Sequence, residues 1–205
     1  FSITSGDTGE ATVTSALTFT SANWNSAQTV TVTGADDNLV DGTQTSTLTI
    51  SIVDAVTDDN FDGVADQTVS VATTDNDVAG FTIAESGGST SVSESGTTDT
   101  FTIVLNAQPN SDVVLSITSS DTGEATVTSV LTFTAANWNS AQTVTVTGAD
   151  DNLIDGTITS TLTVTVNDGS SDNNFDPVND QTVSATTTDN DTAGFTVVQS
   201  GGSTS

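Results

Sequence analysis

The sequence contains no lysine, arginine or histidine, although 27 of its 205 residues are aspartate or glutamate. The formal net charge of −27 therefore has no counter-ion within the chain, and the neutralising cations must come from solvent. A chain without basic side chains lacks the groups that bind phosphate backbones, so nucleic acid is not expected as a partner. Binding to anionic membrane surfaces is excluded for the same reason.

Cysteine, methionine and tyrosine are also absent. Without cysteine the chain has neither a disulfide framework nor a thiolate metal site, so its core must be stable without covalent cross-links. No apolar run approaches the roughly 18 residues of a membrane-spanning helix, and we expect no membrane insertion in this segment.

The sequence does contain an internal repeat. Residues 1–91 align without gaps with residues 115–205, an offset of 114, and 69 of the 91 aligned positions are identical. Both ends of the alignment fall within a repeat, so we expect the 205 residues to be a window on a longer array. We predict three domains: a partial copy over 1–77 that lacks its N-terminal strands, a complete copy over 78–191, and the start of a third over 192–205.

Alternation of apolar and small polar residues indicates β-strands rather than disorder, despite the high charge. Phe101, Ile103 and Leu105 form one such set, and no segment shows the 3.6-residue period of an α-helix. We predict seven strands in the complete copy, at residues 80–85, 100–106, 113–119, 125–134 with a break near 129, 143–148, 157–167 and 181–187. The predicted fold is all-β, with tandem seven-stranded antiparallel, immunoglobulin-like sandwiches arranged end to end.

Strands that alternate in direction place every second connection at the same end of a sandwich, and acidic residues concentrate in those connections. In the complete copy they are Glu94, Asp121, Glu124, Asp150, Asp151, Asp155, Asp189 and Asp191. In the partial copy they are Asp7, Glu10, Asp36, Asp37, Asp41, Asp75 and Asp77. Carboxylates this close together repel one another unless a cation lies among them. Ca²⁺ suits them best, because it takes about six to eight oxygen ligands in loose geometry, whereas Mg²⁺ retains water and transition metals prefer histidine or cysteine.

Several motifs of the complete copy occur at these positions: Val92-x-Glu94, the turn at Asp121, Leu131–Thr134, Gln142–Gly148 followed by Asp150 and Asp151, and Asp189-Asn190-Asp191. With these motifs the whole repeat resembles the Calx-beta repeat of sodium/calcium exchangers and of bacterial surface and adhesin arrays. The resemblance implies that Ca²⁺ binds at one end of each domain, through Glu94, Asp121, Asp150, Asp151, Asp155, Asp189 and Asp191. The equivalent ligands in the partial copy are Asp7, Asp36, Asp37, Asp41, Asp75 and Asp77. Two positions depart from the exchanger pattern, since Asp155 is shorter than the usual glutamate and Asn190 is neutral.

Other features admit both a structural and a functional interpretation. The loops at 58–63 and 172–177 share the D-x-N-x-D spacing of an EF-hand, but position 12 is Val69 or Val183 where glutamate is required. Each loop is therefore either a hairpin anchored by phenylalanine or a weak ligand set. Trp24 and Trp138 either stack against a sugar or, as is commoner, cover one end of the core. Threonine arrays fit ice binding or, more simply, high β-propensity.

Acidic, cysteine-free, threonine-rich repeats are typical of exported bacterial proteins, so we expect a secreted, extracellular location at the cell surface. The repeat and the calcium-binding resemblance together predict a structural segment of an adhesin stalk or surface filament, stiffened at its junctions by Ca²⁺. The expected partners are neighbouring repeats of the chain and, in a filament, other copies. The alternatives are a calcium-sensing regulatory module and a subunit of a self-assembling fibre.

An enzymatic function is not expected. Histidine, cysteine, lysine and tyrosine, the common catalytic bases and nucleophiles, are all absent. Paired carboxylates remain and could in principle hydrolyse glycosides, but they are duplicated on a repeated element and imply no cleft. We therefore expect no small-molecule substrate.

Overall fold

The computed structural model describes residues 1–198 and 200–202. The chain forms two compact units, Phe1–Val78 and Ala79–Ser205, which we call the first unit and the second unit. Strands, turns and short 3-10 helices make up the described residues, and no α-helix occurs among them. The predicted all-β class is therefore confirmed.

The first unit has two small antiparallel sheets. Its strands are β1 (Ser2–Ser5), β2 (Ala11–Val13), β3 (Val32–Gly34), β4 (Gln44–Ser51) and β5 (Gln67–Thr73), with 3-10 helices at Asp54–Val56 and Asp59–Phe61. One sheet has the order β1-β4-β5, and the other pairs β2 with β3. The fully buried apolar side chains of this unit are Ile3, Ala11 and Leu48, which form a small core.

The second unit has two larger sheets. Its strands are β6 (Phe81–Glu85), β7 (Thr90–Ser93), β8 (Thr98–Leu105), β9 (Val113–Ser119), β10 (Ala125–Val127), β11 (Val130–Phe133), β12 (Gln142–Gly148), β13 (Ile158–Val166) and β14 (Gln181–Thr188), with 3-10 helices at Ser86–Gly88 and Asp168–Ser170. The four-stranded sheet has the order β10-β12-β8-β6, and the five-stranded sheet has the order β11-β9-β13-β14-β7.

Alternate residues of these strands form the core of the second unit. In β8 the side chains of Phe101, Ile103 and Leu105 are buried, while the residues between them are partly exposed. The same alternation occurs in β9, β12 and β13. The two sheets contact each other through β7 and β8 and through β9 and β10, which gives a β-sandwich-like arrangement.

One predicted strand proves to be two strands in different sheets. Residues 125–134 form β10 in the four-stranded sheet and β11 in the five-stranded sheet. Thr128 N donates to Thr145 O on β12, whereas Ile117 N on β9 donates to Ser129 O. Neighbouring peptide groups therefore bond to different sheets, and the chain changes sheet at the break predicted near Ser129.

The predicted count of seven strands is also wrong because β7 lies in a segment that we expected to be a connection. Its sequence, Thr-Ser-Val-Ser, contains a single aliphatic residue, which is too weak an alternation to indicate a strand. β7 pairs in parallel with β14, contrary to the all-antiparallel prediction. The described part of the second unit therefore has nine strands, and the other six predicted strands agree with the observed ones to within two residues at each end.

The predicted third copy is described only at its beginning. Residues 192–198 form no strand, and Phe195 and Val197 are exposed. Their counterparts Phe81 and Ile83 lie in β6, which pairs with β8, so the same type of sequence forms a strand where a partner strand is present. Positions 199 and 203–205 of this copy lie outside the described residues.

Candidate metal site

The second unit brings together carboxylates from three separate connections. Glu94 follows β7, Glu124 precedes β10, and Asp155 lies between β12 and β13. One oxygen of each side chain lies within 4.8 Å of the other two. Oxygens bound to the same Ca²⁺ at about 2.4 Å are at most about 4.8 Å apart, so the spacing fits one ion. Glu94 and Glu124 are buried, with 1% and 5% of their surface exposed.

A second group of carboxylates shares Glu94 with the first. Its other members, Asp189 and Asp191, follow β14, and the oxygens of the three side chains again lie within 4.8 Å of one another. Because β7 and β14 run in the same direction, their C-terminal ends place Glu94 beside Asp189. The strand that the sequence did not reveal therefore positions the residue common to both groups.

Backbone hydrogen bonds hold the two glutamates in place. Glu94 N donates to Thr188 O at 3.1 Å, which ties the residue to the end of β14. Glu124 O accepts from Ala149 N at 2.8 Å and from Thr187 Oγ1 at 3.2 Å. Both side chains are therefore attached to rigid strand ends rather than to free loops.

The closing segment is organised by the side chain of Asp189. Its Oδ2 accepts from Gly156 N at 2.9 Å, and its Oδ1 accepts from Asp191 N at 2.6 Å. Asn190 N donates to Glu94 Oε2 at 3.1 Å. These bonds connect the closing residues both to the loop after β12 and to Glu94.

Three oxygens of the two groups are buried and have no hydrogen-bond partner. They are Glu94 Oε1, Glu124 Oε2 and Asp191 Oδ2. A buried carboxylate oxygen without a partner is costly, and the sequence offers no basic side chain to neutralise it. The donor set consists of hard oxygens alone, so these residues fit a divalent cation such as Ca²⁺.

The pKa values follow from the same crowding. Burial raises the pKa of Glu124 and of Asp191, and neighbouring negative charges raise both further. The hydrogen bond from Asn190 lowers the pKa of Glu94, but burial and the charge of Asp189 outweigh it and leave that pKa raised. Backbone N–H donors lower the pKa of Asp189. The site thus combines one well-stabilised carboxylate with three whose charged forms are disfavoured.

Of the other predicted ligands, Asp150 and Asp151 lie at the same end of the unit. Asp150 Oδ1 accepts from Asn190 Nδ2 at 3.0 Å, and the charge of Asp151 contributes to the raised pKa of Glu94. Asp121 is exposed and forms a turn, in which its Oδ1 accepts from the backbone N–H two residues later at 2.9 Å.

Glu124, which the resemblance did not imply as a ligand, belongs to the first carboxylate group, whereas the implied ligand Asp121 belongs to neither group. Two sequence signals point to Glu124. It is one of only four glutamates in the chain, and it recurs at Glu10 immediately before a strand. The longer glutamate side chain reaches inward from the strand end, while the aspartate stays in the turn.

The first unit repeats part of this arrangement. Asp75 Oδ2 accepts from Asp41 N at 3.0 Å, and Asp75 Oδ1 accepts from Asp77 N at 2.7 Å. Burial and then the charge of Asp41 raise the pKa of Glu10. Both groups of three close carboxylates found among the described residues lie in the second unit and contain Glu94, whose counterpart is missing from the first unit. Among the described residues, no predicted ligand of the first unit belongs to such a group. Three of these ligands are also exposed, namely Asp7, Asp36 and Asp37.

The loop at 172–177 is held by a buried phenylalanine and a satisfied aspartate. Phe175 is fully buried. Asp172 Oδ1 accepts from Asn174 N at 2.9 Å, and its Oδ2 accepts from Ser111 N at 2.8 Å. In the part of the chain that the structure describes, no group of three close carboxylates includes this loop. Phe175 therefore anchors the hairpin, and Asp176 Oδ1 in the same loop is a buried oxygen without a hydrogen-bond partner.

The facing sheets and the acidic end together define an all-β protein of the β-sandwich class with a candidate cation site. Among the described helices, none has the length and apolar character needed to cross a membrane.

The sequence matches no protein-family model and no curated protein. Among solved structures, domains 1–6 of the surface layer protein SbsC are 21% identical, with a TM-score of 0.42, over 71% of this chain and 16% of that one. Domains 4 and 5 of the same S-layer protein are 20% identical, with a TM-score of 0.40, over 91% of this chain and 70% of that one. The chain thus spans about a sixth of the length of the first of these structures.

Proposed function

We propose that the chain is a structural repeat segment of an extracellular bacterial surface protein, an adhesin stalk or filament, whose Calx-beta-like sandwiches are stiffened by Ca²⁺. The observation that carries the proposal is the pair of carboxylate groups sharing Glu94, with buried oxygens that have no partner in a chain without basic residues. A bound divalent cation supplies the missing partner and removes the mutual repulsion.

Stiffening follows from the segments that the carboxylates join. The end of β7, the start of β10, the loop after β12 and the end of β14 all contribute to the two groups. An ion bound to all of them restricts each segment, because it contacts residues that are distant in sequence. Asp189 and Asp191 also lie directly before Thr192, where the next copy begins in sequence, so the ion restrains the chain as it leaves the sandwich.

Calorimetry of the 205-residue chain tests the calcium proposal. We expect millimolar Ca²⁺ to raise the melting temperature of the second unit, and Mg²⁺ to raise it much less because Mg²⁺ keeps its water. At a calcium concentration about 100 times the dissociation constant, each bound ion adds about 2.7 kcal/mol to the free energy of unfolding. Glu94→Gln should abolish the shift, since both groups contain this residue.

Asp180→Asn is the matched control. It removes one negative charge from an exposed residue just before β14, at the opposite end of the strand from Asp189, and should leave the calcium response intact. A Glu94→Gln chain that responds to Ca²⁺ like the unmodified chain would refute the site.

Small-angle X-ray scattering of the same samples tests stiffening. We expect a narrower distribution of shapes and a longer maximum dimension in Ca²⁺ than in chelator. Binding without any change in the scattering would leave a calcium site but contradict calcium stiffening, and would favour repeats that act as plain spacers.

A further inference from the structure

Two identical stretches of sequence have different structures in the two units. Gln28–Gly34 and Gln142–Gly148 share the sequence Gln-Thr-Val-Thr-Val-Thr-Gly. In the second unit all seven residues form β12, whereas in the first unit only Val32–Gly34 form a strand, β3. The difference lies in the neighbours, since β12 pairs with both β10 and β8, while β3 pairs with β2 alone.

The side chains next to this edge differ in the same way. Val32 is 38% exposed, whereas its counterpart Val146 is fully buried. Phe19 is 38% exposed, and its counterpart Phe133 is fully buried. Residues that form a core in one copy therefore form an open apolar surface in the other.

That surface is concave. A pocket of about 450 Å³ in the first unit is lined by Phe1, Leu17, Phe19, Trp24 and Phe61 together with polar neighbours. Trp24, at its rim, is 71% exposed. A pocket made of core-forming side chains fits the apolar face of a missing structural element better than a polar ligand such as a sugar.

The second unit shows which element covers the same surface. Residues 79–107 supply β6, β7 and β8, and the buried side chains of β8 are Phe101, Ile103 and Leu105. β8 pairs with β12 so that Phe101 lies opposite Val144, and β7 adds to the edge of β14. One continuous segment thus completes both sheets and fills the core between them.

We infer that the first unit is an acceptor for a strand segment of the same type as residues 79–107, supplied by a further copy of the repeat. The docked segment pairs with β3 through its β8-type strand and with β5 through its β7-type strand. Its phenylalanine, isoleucine and leucine fill the pocket at Trp24. The second unit shows which backbone groups hold such a segment: Trp138 O accepts from Leu105 N, and Gly148 N donates to Thr97 O. The matching groups of the first unit are Trp24 O and Gly34 N.

A second copy of this chain is a poorer donor than a further repeat. Its own residues 79–107 already complete the second unit, where Phe101 and Ile103 are fully buried. Donating them would open one sandwich in order to close another, with no gain in buried apolar surface.

Docking also delivers a carboxylate. The segment includes the residue equivalent to Glu94, the common member of both oxygen groups in the second unit. The first unit already holds the counterparts of the other members at Glu10, Asp41, Asp75 and Asp77. It follows that Ca²⁺ strengthens docking, a consequence that rests on the proposed calcium function.

A peptide with the sequence of residues 79–107 tests the inference when added to the 205-residue chain. The peptide contains no tryptophan, so in a Trp138→Phe background the emission of Trp24 reports on the pocket. We expect a saturable blue shift and, by amide hydrogen exchange, at least about tenfold slower exchange over residues 28–34. Amide hydrogen exchange also measures peptide binding in the unmodified chain, which keeps both tryptophans.

Two peptide variants separate core filling from charge. Phe101→Asp places a carboxylate in the pocket and should weaken binding by about a hundredfold or more. Thr102→Asp adds the same charge to the opposite face of the strand, where Thr102 is partly exposed, and should bind nearly as well as the unmodified peptide. Equal binding of the two variants would overturn the inference.

A longer chain avoids any limit set by peptide affinity. In this chain a second copy of residues 79–114 is placed directly before Phe1. The repeat then continues in register, because Leu115 is the counterpart of Phe1. We expect residues 28–34 to exchange as slowly as residues 142–148. Fast exchange at 28–34 in this longer chain would overturn the inference. Slow exchange at 28–34 in a dimer of the 205-residue chain would also overturn it, because a second copy of the chain would then be the occupant.

The calcium consequence is tested separately with the peptide. The unmodified peptide should bind more tightly in Ca²⁺ than in chelator, and a Glu94→Gln peptide should bind equally in both. Docking that does not respond to Ca²⁺ would contradict the calcium function while supporting the acceptor surface.

Discussion

Gly148, the last residue of β12, packs against the last residue of β7, and its replacement by alanine should destabilise the second unit. An added Cβ would lie 2.7 Å from the carbonyl carbon of Ser93 and 3.1 Å from its nitrogen, and closer still to its carbonyl oxygen. Ordinary van der Waals contact begins near 3.4 Å, and the carbonyl oxygen is the closest atom, so the Ser93 backbone would have to move by more than about 1 Å.

The magnitude follows from what that movement disturbs. Overpacking of this kind costs about 1–3 kcal/mol. The bonds from Glu94 N to Thr188 O and from Gly148 N to Thr97 O flank the displaced residue, and each contributes about 1 kcal/mol. We expect Gly148→Ala to lower the free energy of unfolding by about 2–4 kcal/mol, which corresponds to a melting temperature about 10 °C lower. Because Glu94 follows Ser93, the stabilisation by Ca²⁺ should also decrease.

The repeat supplies a matched control at Gly34. An alanine Cβ there would meet Thr73 Cγ2 at 3.5 Å, an ordinary contact, so Gly34→Ala should change stability by less than about 0.5 kcal/mol. Gly148→Ala is to be melted in a Trp24→Phe background, in which Trp138 fluorescence reports on the second unit, and Gly34→Ala in a Trp138→Phe background, in which Trp24 reports on the first unit. Each is compared with its own background, with and without Ca²⁺. Equal decreases in melting temperature for the two variants would refute the close-packing argument.

Three further outcomes are expected. In calorimetric titrations with Ca²⁺, Glu124→Gln should remove one binding step and Asp191→Asn a different one, because Glu124 and Asp191 belong to different groups that share Glu94. Loss of the same step in both variants would exclude two separate ions. In metal-free buffer the raised pKa values of Glu94, Glu124 and Asp191 stabilise the second unit below their ordinary values of 4.5, 4.5 and 3.8, and this stabilisation is lost as pH rises, whereas the lowered pKa of Asp189 acts in the opposite direction. Because the raised groups outnumber the lowered one, the second unit should melt higher at pH 4.5 than at neutral pH, with the order reversed in Ca²⁺. Phe175→Ala should cost about 3–5 kcal/mol by chemical denaturation, whereas the same change at Phe61, 52% exposed, should cost far less.

The strands were predictable where the sequence alternates strongly. Phe101, Ile103 and Leu105 define β8 by a period of two, and the observed strand extends the prediction by only two residues at its start. β7 was not predictable, because Thr90–Ser93 gains its structure from a parallel neighbour that lies 95 residues away in sequence. Local pattern identifies strands that bury their own side chains, but not strands formed mainly by backbone pairing.

The acidic end was predictable in outline and not in detail. Glu94 lies close to Asp155 in one group and to Asp189 in the other, but it is placed there by β7, an unpredicted strand that runs parallel to β14. Whether Asp121 or Glu124 would face inward depended on side-chain length and on the exact start of β10, which a turn motif does not specify. Burial of Glu124 is a tertiary property, because its carbonyl bonds to residues of two other segments.

The position of Glu94 links strand packing to ion binding. It lies one residue beyond β7, and β7 is held by a single neighbouring strand, so the strand and the carboxylate dock as one. Any free energy gained when an ion binds through Glu94 must therefore also stabilise β7 against detachment, by the reciprocity of linked equilibria. Amide exchange should then slow in Ca²⁺ at residues 90–93 and remain unchanged in the centre of β13, which lies between two strands of its sheet. If Ca²⁺ leaves amide exchange at residues 90–93 unchanged, ion binding and the docking of β7 are independent. An ion would then not stiffen the repeat by this mechanism.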